Sequence, residues 1–284
     1  MAIFAVSQVA YAVPLADPAR PYLNPEPPAT PQARAWQAPP QGAAFQYQLS
    51  EQFSAASNTV AGVSVYFVDL FDTPEAESCQ WPPPFSSTAV YASGCADACL
   101  AQQQAIIWRD DVAAFPPLAL GKGMEGWSGE RWVDVRSPDI RAVARTRMEL
   151  CKKKGFLAVD PDNVDLSSTD TGFNLSPADQ LAFIQYLADT AHSLGLAFSL
   201  KNTPGQLQQL VGSIDMAVNE ECAEYDECEA YTVVRDAGKP VYNIEYSEPS
   251  FDKLCGRAPT LGITSIFKDR ALGFQPRTPC PGQT

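Results

Sequence analysis

The 284-residue chain has one histidine, His192. Serine–histidine–aspartate hydrolysis needs an imidazole beside its nucleophile, and a histidine-rich metal centre needs several, so neither chemistry is expected. His192 falls inside a helical run and reads as a buried structural residue. Positive charge is also scarce: 20 Lys and Arg against 33 Asp and Glu leave a net charge of −13. Nucleic-acid binding requires a basic footprint against the phosphates, which this balance argues against. No apolar run approaches the roughly 18 residues of a membrane span. No G-x-G-x-x-G follows the first strand, which counts against a dinucleotide-binding fold. No Cys-x-x-Cys pair completes a zinc set around Cys95 and Cys99, so neither metal nor cofactor is expected.

What is present points elsewhere. Hydrophobic residues make up 45% of the chain, enough for a large core. The length suits one α/β barrel, which needs about 250 residues as a single unit. Eight cysteines, an even number in an acidic chain, indicate disulfides and an oxidising compartment, although spacing does not give their pairing. Residues 1–12 are small and apolar, end in Ala10-Tyr11-Ala12, and read as a signal peptide lacking the usual positive start. A secreted, extracellular protein is therefore expected. Residues 13–41 hold nine of the 25 prolines and read as an extended linker. The folded domain is expected over 43–275, with 276–284 as a C-terminal tail, and the protein is expected to be a monomer.

From residue 45 onward, short β-rich runs alternate with helical ones. The strand candidates are 45–49, 63–70, 89–93, 131–135, 156–160, 197–200, 215–219, 240–245 and 264–268. Helical spacing is clearest over 139–153 and 176–194. The second of these opens on Ser176 as N-cap with Pro177 at the first helical position, and closes at Gly195. Such alternation implies a parallel sheet with helices outside. The expected fold is α/β, a (β/α)8 TIM barrel counted from residue 63, with 45–49 as an extra N-terminal strand.

Barrel enzymes build their sites at the C-terminal ends of the strands. There the sequence offers Asp69, Asp134, Asp160-Pro161-Asp162-Asn163, Lys201-Asn202, Asn219-Glu220-Glu221 and Glu245-Tyr246. One acid after a strand is usually a turn residue. Acids after several strands are harder to explain that way. Without histidine chemistry, two carboxylates flanking a bond are the remaining option, and that is glycoside hydrolysis.

The runs VDPDNVD (159–165), LKN (200–202), VNEEC (218–222), KPVYNIEY (239–246) and GWSGERWVDVR (126–136) make the resemblance specific. In this order they resemble glycoside hydrolase family 114, endo-α-1,4-polygalactosaminidases with a TIM barrel. The similarity spans about 43–275 and also takes in Trp108-Arg109-Asp110-Asp111. It implies a secreted enzyme that cuts internal α-1,4-galactosaminyl bonds of deacetylated galactosaminogalactan, a cationic polysaccharide. It implies Asp162 as nucleophile and Glu220 as acid/base, in a retaining mechanism. Asp160 and Asp165 are rivals on either side of Asp162; alternation puts Asp160 on the same face as Asp162, and places the Glu221 side chain away from Glu220. Ammonium groups call for carboxylates and aromatic walls, so Asp69, Glu245, Tyr246 and Trp127 are substrate-binding candidates. Asp134, Asn163, Lys201 and Asn219 join them, with Lys201 also expected to hold Asp162 in place.

Three departures stand out. Phe67 replaces an Asp of the family pattern, Asp160 replaces a Glu, and the segment 75–107 fits poorly around the expected second barrel strand. They motivate an alternative, a catalytically impaired carbohydrate-binding barrel of the same family.

Overall fold

The computed structural model describes residues 39–54, 56–73, 93–97, 111–125 and 127–283, all within one compact unit, Arg34–Thr284. For 93–97, 112, 127 and 128 only the backbone is described. The expected signal segment, nearly all of the linker, and most of 75–107 lie outside these residues.

The first strands in chain order are β1 (Phe45–Gln48), β2 (Val65–Val68), β3 (Ser93–Asp97), β4 (Leu120–Met124) and β5 (Trp127–Val133). They are followed by β6 (Ala158–Val159), β7 (Ala197–Lys201), β8 (Met216–Glu220), β9 (Val241–Glu245), β10 (Ile263–Phe267) and β11 (Thr278–Pro279). Eight of them pair in parallel, in the order β1-β2-β3-β6-β7-β8-β9-β10. That is the strand order of a (β/α)8 barrel.

The strand count shifts from the expected one. Residues 45–49 are not an extra strand: β1 is the first barrel strand, with Phe45 opposite Val65. Residues 131–135, expected inside the barrel, fall largely in β5, which forms a separate antiparallel hairpin with β4. A hairpin strand and a barrel strand share the same local pattern, so periodicity alone does not separate them. The third barrel strand is 93–97 rather than 89–93.

Side-chain alternation sorts the sheet into two faces. The inner face carries Phe45, Tyr47, Val65, Phe67, Ala158, Ala197, Met216, Val218, Tyr242, Ile244 and Ile266. Phe67 meets Tyr47 and Tyr242 at ring-centroid distances of 5.5 Å, and Phe45 meets Tyr242 at 4.9 Å. The departure at Phe67 therefore sits in the barrel's aromatic filling. A buried ring of this size contributes about 2–3 kcal/mol of hydrophobic burial.

The outer face packs against α1 (Pro138–Lys154) and α2 (Pro177–Ser193), then the shorter α3 (Leu207–Leu210), α4 (Thr232–Asp236), α5 (Glu248–Cys255) and α6 (Ala258–Leu261). The buried stripe of α1, Ile140, Val143, Ala144, Arg147, Met148 and Cys151, has helical spacing. Arg147 is tied to Asp111 by two hydrogen bonds of 2.6 and 2.9 Å. Ser176 and Asp179 form a capping box at the start of α2. His192 bonds Asp215 at 2.7 Å, a structural role.

The two ends of the parallel sheet meet through side chains and the C-terminal segment. Lys268 donates to Gln46 Oε1 and the Gly273 carbonyl, Gln46 donates to the Phe274 carbonyl, and Arg277 donates to the Phe45 carbonyl. Burial lowers Lys268 to about 8. Residues 276–283, expected as part of a tail, are built into the domain: β11 pairs with β10, and Cys280 is disulfide-bonded to Cys255.

Candidate active site

Inward residues at the strand ends meet in an open pocket of about 370 Å³. Among the described residues five carboxylates line it, Asp69, Glu130, Asp162, Glu220 and Glu221, with one basic side chain, Arg270. Part of the chain's negative charge is thus gathered at the barrel mouth.

The floor is built around Lys201, the last residue of β7, whose side chain is almost wholly buried. Its ammonium contacts Asp162 Oδ1 at 2.9 Å, Glu220 Oε2 at 2.8 Å and Tyr47 Oη at 3.1 Å. Burial opposes its charge, but the Asp162 and Glu220 carboxylates outweigh it and hold Lys201 well above the usual lysine range. Because both oxygens lie within 2.9 Å of one nitrogen, they are no more than about 5.8 Å apart. For Glu220, burial pushes the carboxyl up, while the Lys201 charge and hydrogen bonds from Lys201 and Tyr246 pull harder, so the net shift is downward. The Tyr246 hydroxyl donates to Glu220 Oε1.

Asp162, Lys201 and Glu220 are each followed by a residue with left-handed backbone: Asn163 (φ 55°), Asn202 (φ 52°) and Glu221 (φ 61°). Asparagine tolerates that conformation better than most residues; glutamate does not, which marks Glu221 as locally strained. The turn keeps Glu221 in the pocket beside Glu220. The strand-alternation expectation for Glu221 fails because alternation ends where φ changes sign.

Asp160 and Asp162 separate by depth. Asp160 is fully buried beneath the pocket, with neither oxygen in a well-formed hydrogen bond. Burial raises its carboxyl to about 7, against the pull of Lys201. Asp162 lines the pocket. Two residues of strand rise, about 6–7 Å, account for the difference on one face.

The other expected site residues divide. Asp69 lines the pocket, with its Oδ1 accepting from the backbone N–H groups of Phe71 and Asp72. Asn163 and Tyr246 line it too. Lys201 lies beneath rather than in it. Asp134 does not reach it: it follows β5 and is paired with Arg136 at 2.8 Å, a hydrogen bond that holds its carboxyl low. Asn219 and Glu245 face outward, each alternating with an inward neighbour, Glu220 at the end of β8 and Tyr246 just after β9. Asn219 bonds Tyr231 at 2.8 Å and Asn243 at 3.0 Å. Glu245 accepts from the Ala223 N–H at 3.0 Å and from Asn243 at 3.2 Å. Its carboxyl is raised by burial. The Trp127 side chain lies outside the described residues.

Sequence reasoning missed Glu130 and Arg270 as pocket residues. Asn202 was noted, and its Oδ1 accepts the Glu220 N–H at 2.9 Å. Cys222 and Cys228 are disulfide-bonded in the loop after Glu220. Their sulfurs lie near Glu245, but the bond uses both, leaving no thiolate for a metal.

A parallel eight-stranded α/β barrel with paired carboxylates bridged at its C-terminal mouth has the architecture of a glycosidase. Residues 25–282 match the profile of glycoside-hydrolase family GH114, and the chain belongs to that family. Among solved structures it is similar to Aspergillus fumigatus Ega3, determined in complex with galactosamine. The identity is 27% and the TM-score 0.76, over 88% of this chain and 99% of that one. It also shares the fold of the glycoside hydrolase domain of PelA from Pseudomonas aeruginosa. There the identity is 14% and the TM-score 0.58, over 84% of this chain and 98% of that one. No curated protein sequence matches it.

Proposed function

We propose that this glycoside hydrolase is a secreted endo-α-1,4-polygalactosaminidase acting on deacetylated galactosaminogalactan. The observation that carries the reading is the Asp162–Lys201–Glu220 bridge at the floor of an acidic pocket. The shared Lys201 keeps one oxygen of each carboxyl within about 5.8 Å of the other, a limit that accommodates the roughly 5–5.5 Å of a retaining mechanism. The five lining carboxylates suit a polymer of ammonium-bearing sugars. The galactosamine bound to Ega3 supports the sugar class. The disulfides Cys222–Cys228 and Cys255–Cys280 suit an oxidising compartment.

In the first step Asp162 attacks the anomeric carbon and Glu220 gives its proton to the leaving oxygen, so a glycosyl ester forms as the glycosidic bond breaks. In the second, Glu220 takes a proton from water, which attacks the ester and frees Asp162. Lys201 remains protonated throughout and fixes both carboxylates from below. Asp69, Asn163 and Tyr246 line the sugar's path.

The test is product analysis on purified deacetylated polymer. Wild-type protein is expected to release oligosaccharides whose first-formed reducing ends keep the α configuration by NMR, and Asp162→Asn is expected to release none. An inverted product rejects the retaining mechanism. The alternative, a carbohydrate-binding barrel without turnover, predicts polymer binding by folded wild-type protein with no product at all.

A further inference from the structure

The pocket contains a cation of its own. Among its described lining side chains Arg270 is the one base set against five acids. It donates to Glu221 Oε1 at 2.6 Å, and its guanidinium lies 4.9 Å from the centre of the Tyr246 ring. A carboxylate with an aromatic wall is the environment that binds an organic ammonium. Glu221 keeps only 12% of its side chain exposed, whereas Arg270 keeps 70%. The carboxylate is the desolvated, fixed partner, and the arginine is the solvated one, held by a contact of the strength of a surface ion pair. Glu221 is also held in a left-handed backbone that few glutamates adopt, a local cost that keeps the residue in the pocket beside Glu220.

We propose that Glu221 and the Tyr246 ring form a subsite for the ammonium group of an amino sugar, and that Arg270 occupies it as a built-in competitor until the substrate's ammonium displaces it. This rests on the amino-sugar reading of the same pocket. The exchange replaces one cation by another, so Glu221 is never left buried without a counter-charge, and the arginine returns to water at little cost. A neutral or N-acetylated sugar lacks the charge to make the exchange. Such a sugar leaves the Glu221–Arg270 pair in place, so its affinity does not depend on the arginine.

The test is calorimetric titration of galactosamine hydrochloride, with galactose as the neutral control, into wild-type, Arg270→Ala and Arg270→Gln proteins at matched ionic strength. Both variants are expected to bind galactosamine roughly fivefold more tightly than wild type, with galactose affinity unchanged. Adding Glu221→Gln to Arg270→Ala is expected to abolish the gain. Equal or weaker galactosamine binding by the arginine variants, including no binding by any form, overturns the proposal, as does an equal gain for galactose. Polymer hydrolysis by wild type is scored separately. Turnover with no affinity gain removes the competitor alone, and an affinity gain without turnover removes the hydrolase reading while leaving the ammonium subsite.

Discussion

Glu220 and Glu245 are the same residue type at the ends of neighbouring strands, β8 and β9, and their surroundings could hardly differ more. Glu220 turns into the barrel, meets Lys201 at 2.8 Å and Tyr246, and its carboxyl is held below the usual range. Glu245 turns outward, meets a backbone N–H and an asparagine amide, and burial raises its carboxyl. The strand face decides whether a buried acid can serve chemistry or only structure. Inward acids share one buried cation. The outward acid braces the loop that begins at the end of β8.

The comparison breaks most sharply at Lys201. Lys201→Met leaves Asp160, Asp162 and Glu220 close together without a counter-charge. The expected result is a stability loss of about 3–5 kcal/mol at neutral pH, together with loss of turnover. Chemical denaturation at several pH values checks the cause. The loss should shrink as pH falls and the unpaired carboxyls protonate, whereas a packing defect would persist at every pH.

A smaller effect sharpens the role of Glu220. An acid catalyst works in its protonated form, and Lys201 and Tyr246 favour the ionised one. With Glu220 as the acid, kcat/KM should fall as pH rises through its lowered pKa, giving an acidic optimum. Tyr246→Phe removes one hydrogen bond to the carboxylate, so the falling limb should move to higher pH by up to about one unit. Were Glu220 the nucleophile, activity would instead rise with pH through that pKa, and the same substitution would move a rising limb upward. The pH–rate profiles of the two proteins distinguish the roles.

The sequence carried the barrel class, because β–α alternation is a local signal that recurs from β3 to β10. It carried the pocket's Asp162 and Glu220 because their motifs are contiguous. It did not carry the identity of the first strand, since the β4–β5 hairpin imitates a barrel strand and only pairing partners tell them apart. Glu245 was expected to bind substrate because the strand-end rule says nothing about face. Tyr246, next to it, takes the inward position. Glu221 was turned the wrong way because its left-handed backbone has no glycine or asparagine to announce it. Arg270 left no trace, as it follows the last barrel strand in a loop whose place depends on how the sheet ends meet.

The most direct measurement is the turnover of deacetylated galactosaminogalactan by Glu220→Gln and Glu245→Gln side by side, at a temperature where both are folded. Glu220→Gln should lose at least about a thousandfold in kcat. Glu245→Gln should stay within about tenfold of wild type and lose at most 1–2 kcal/mol of stability, roughly. Equal losses, or a larger loss at Glu245, would contradict the assignment of chemistry to the inward face.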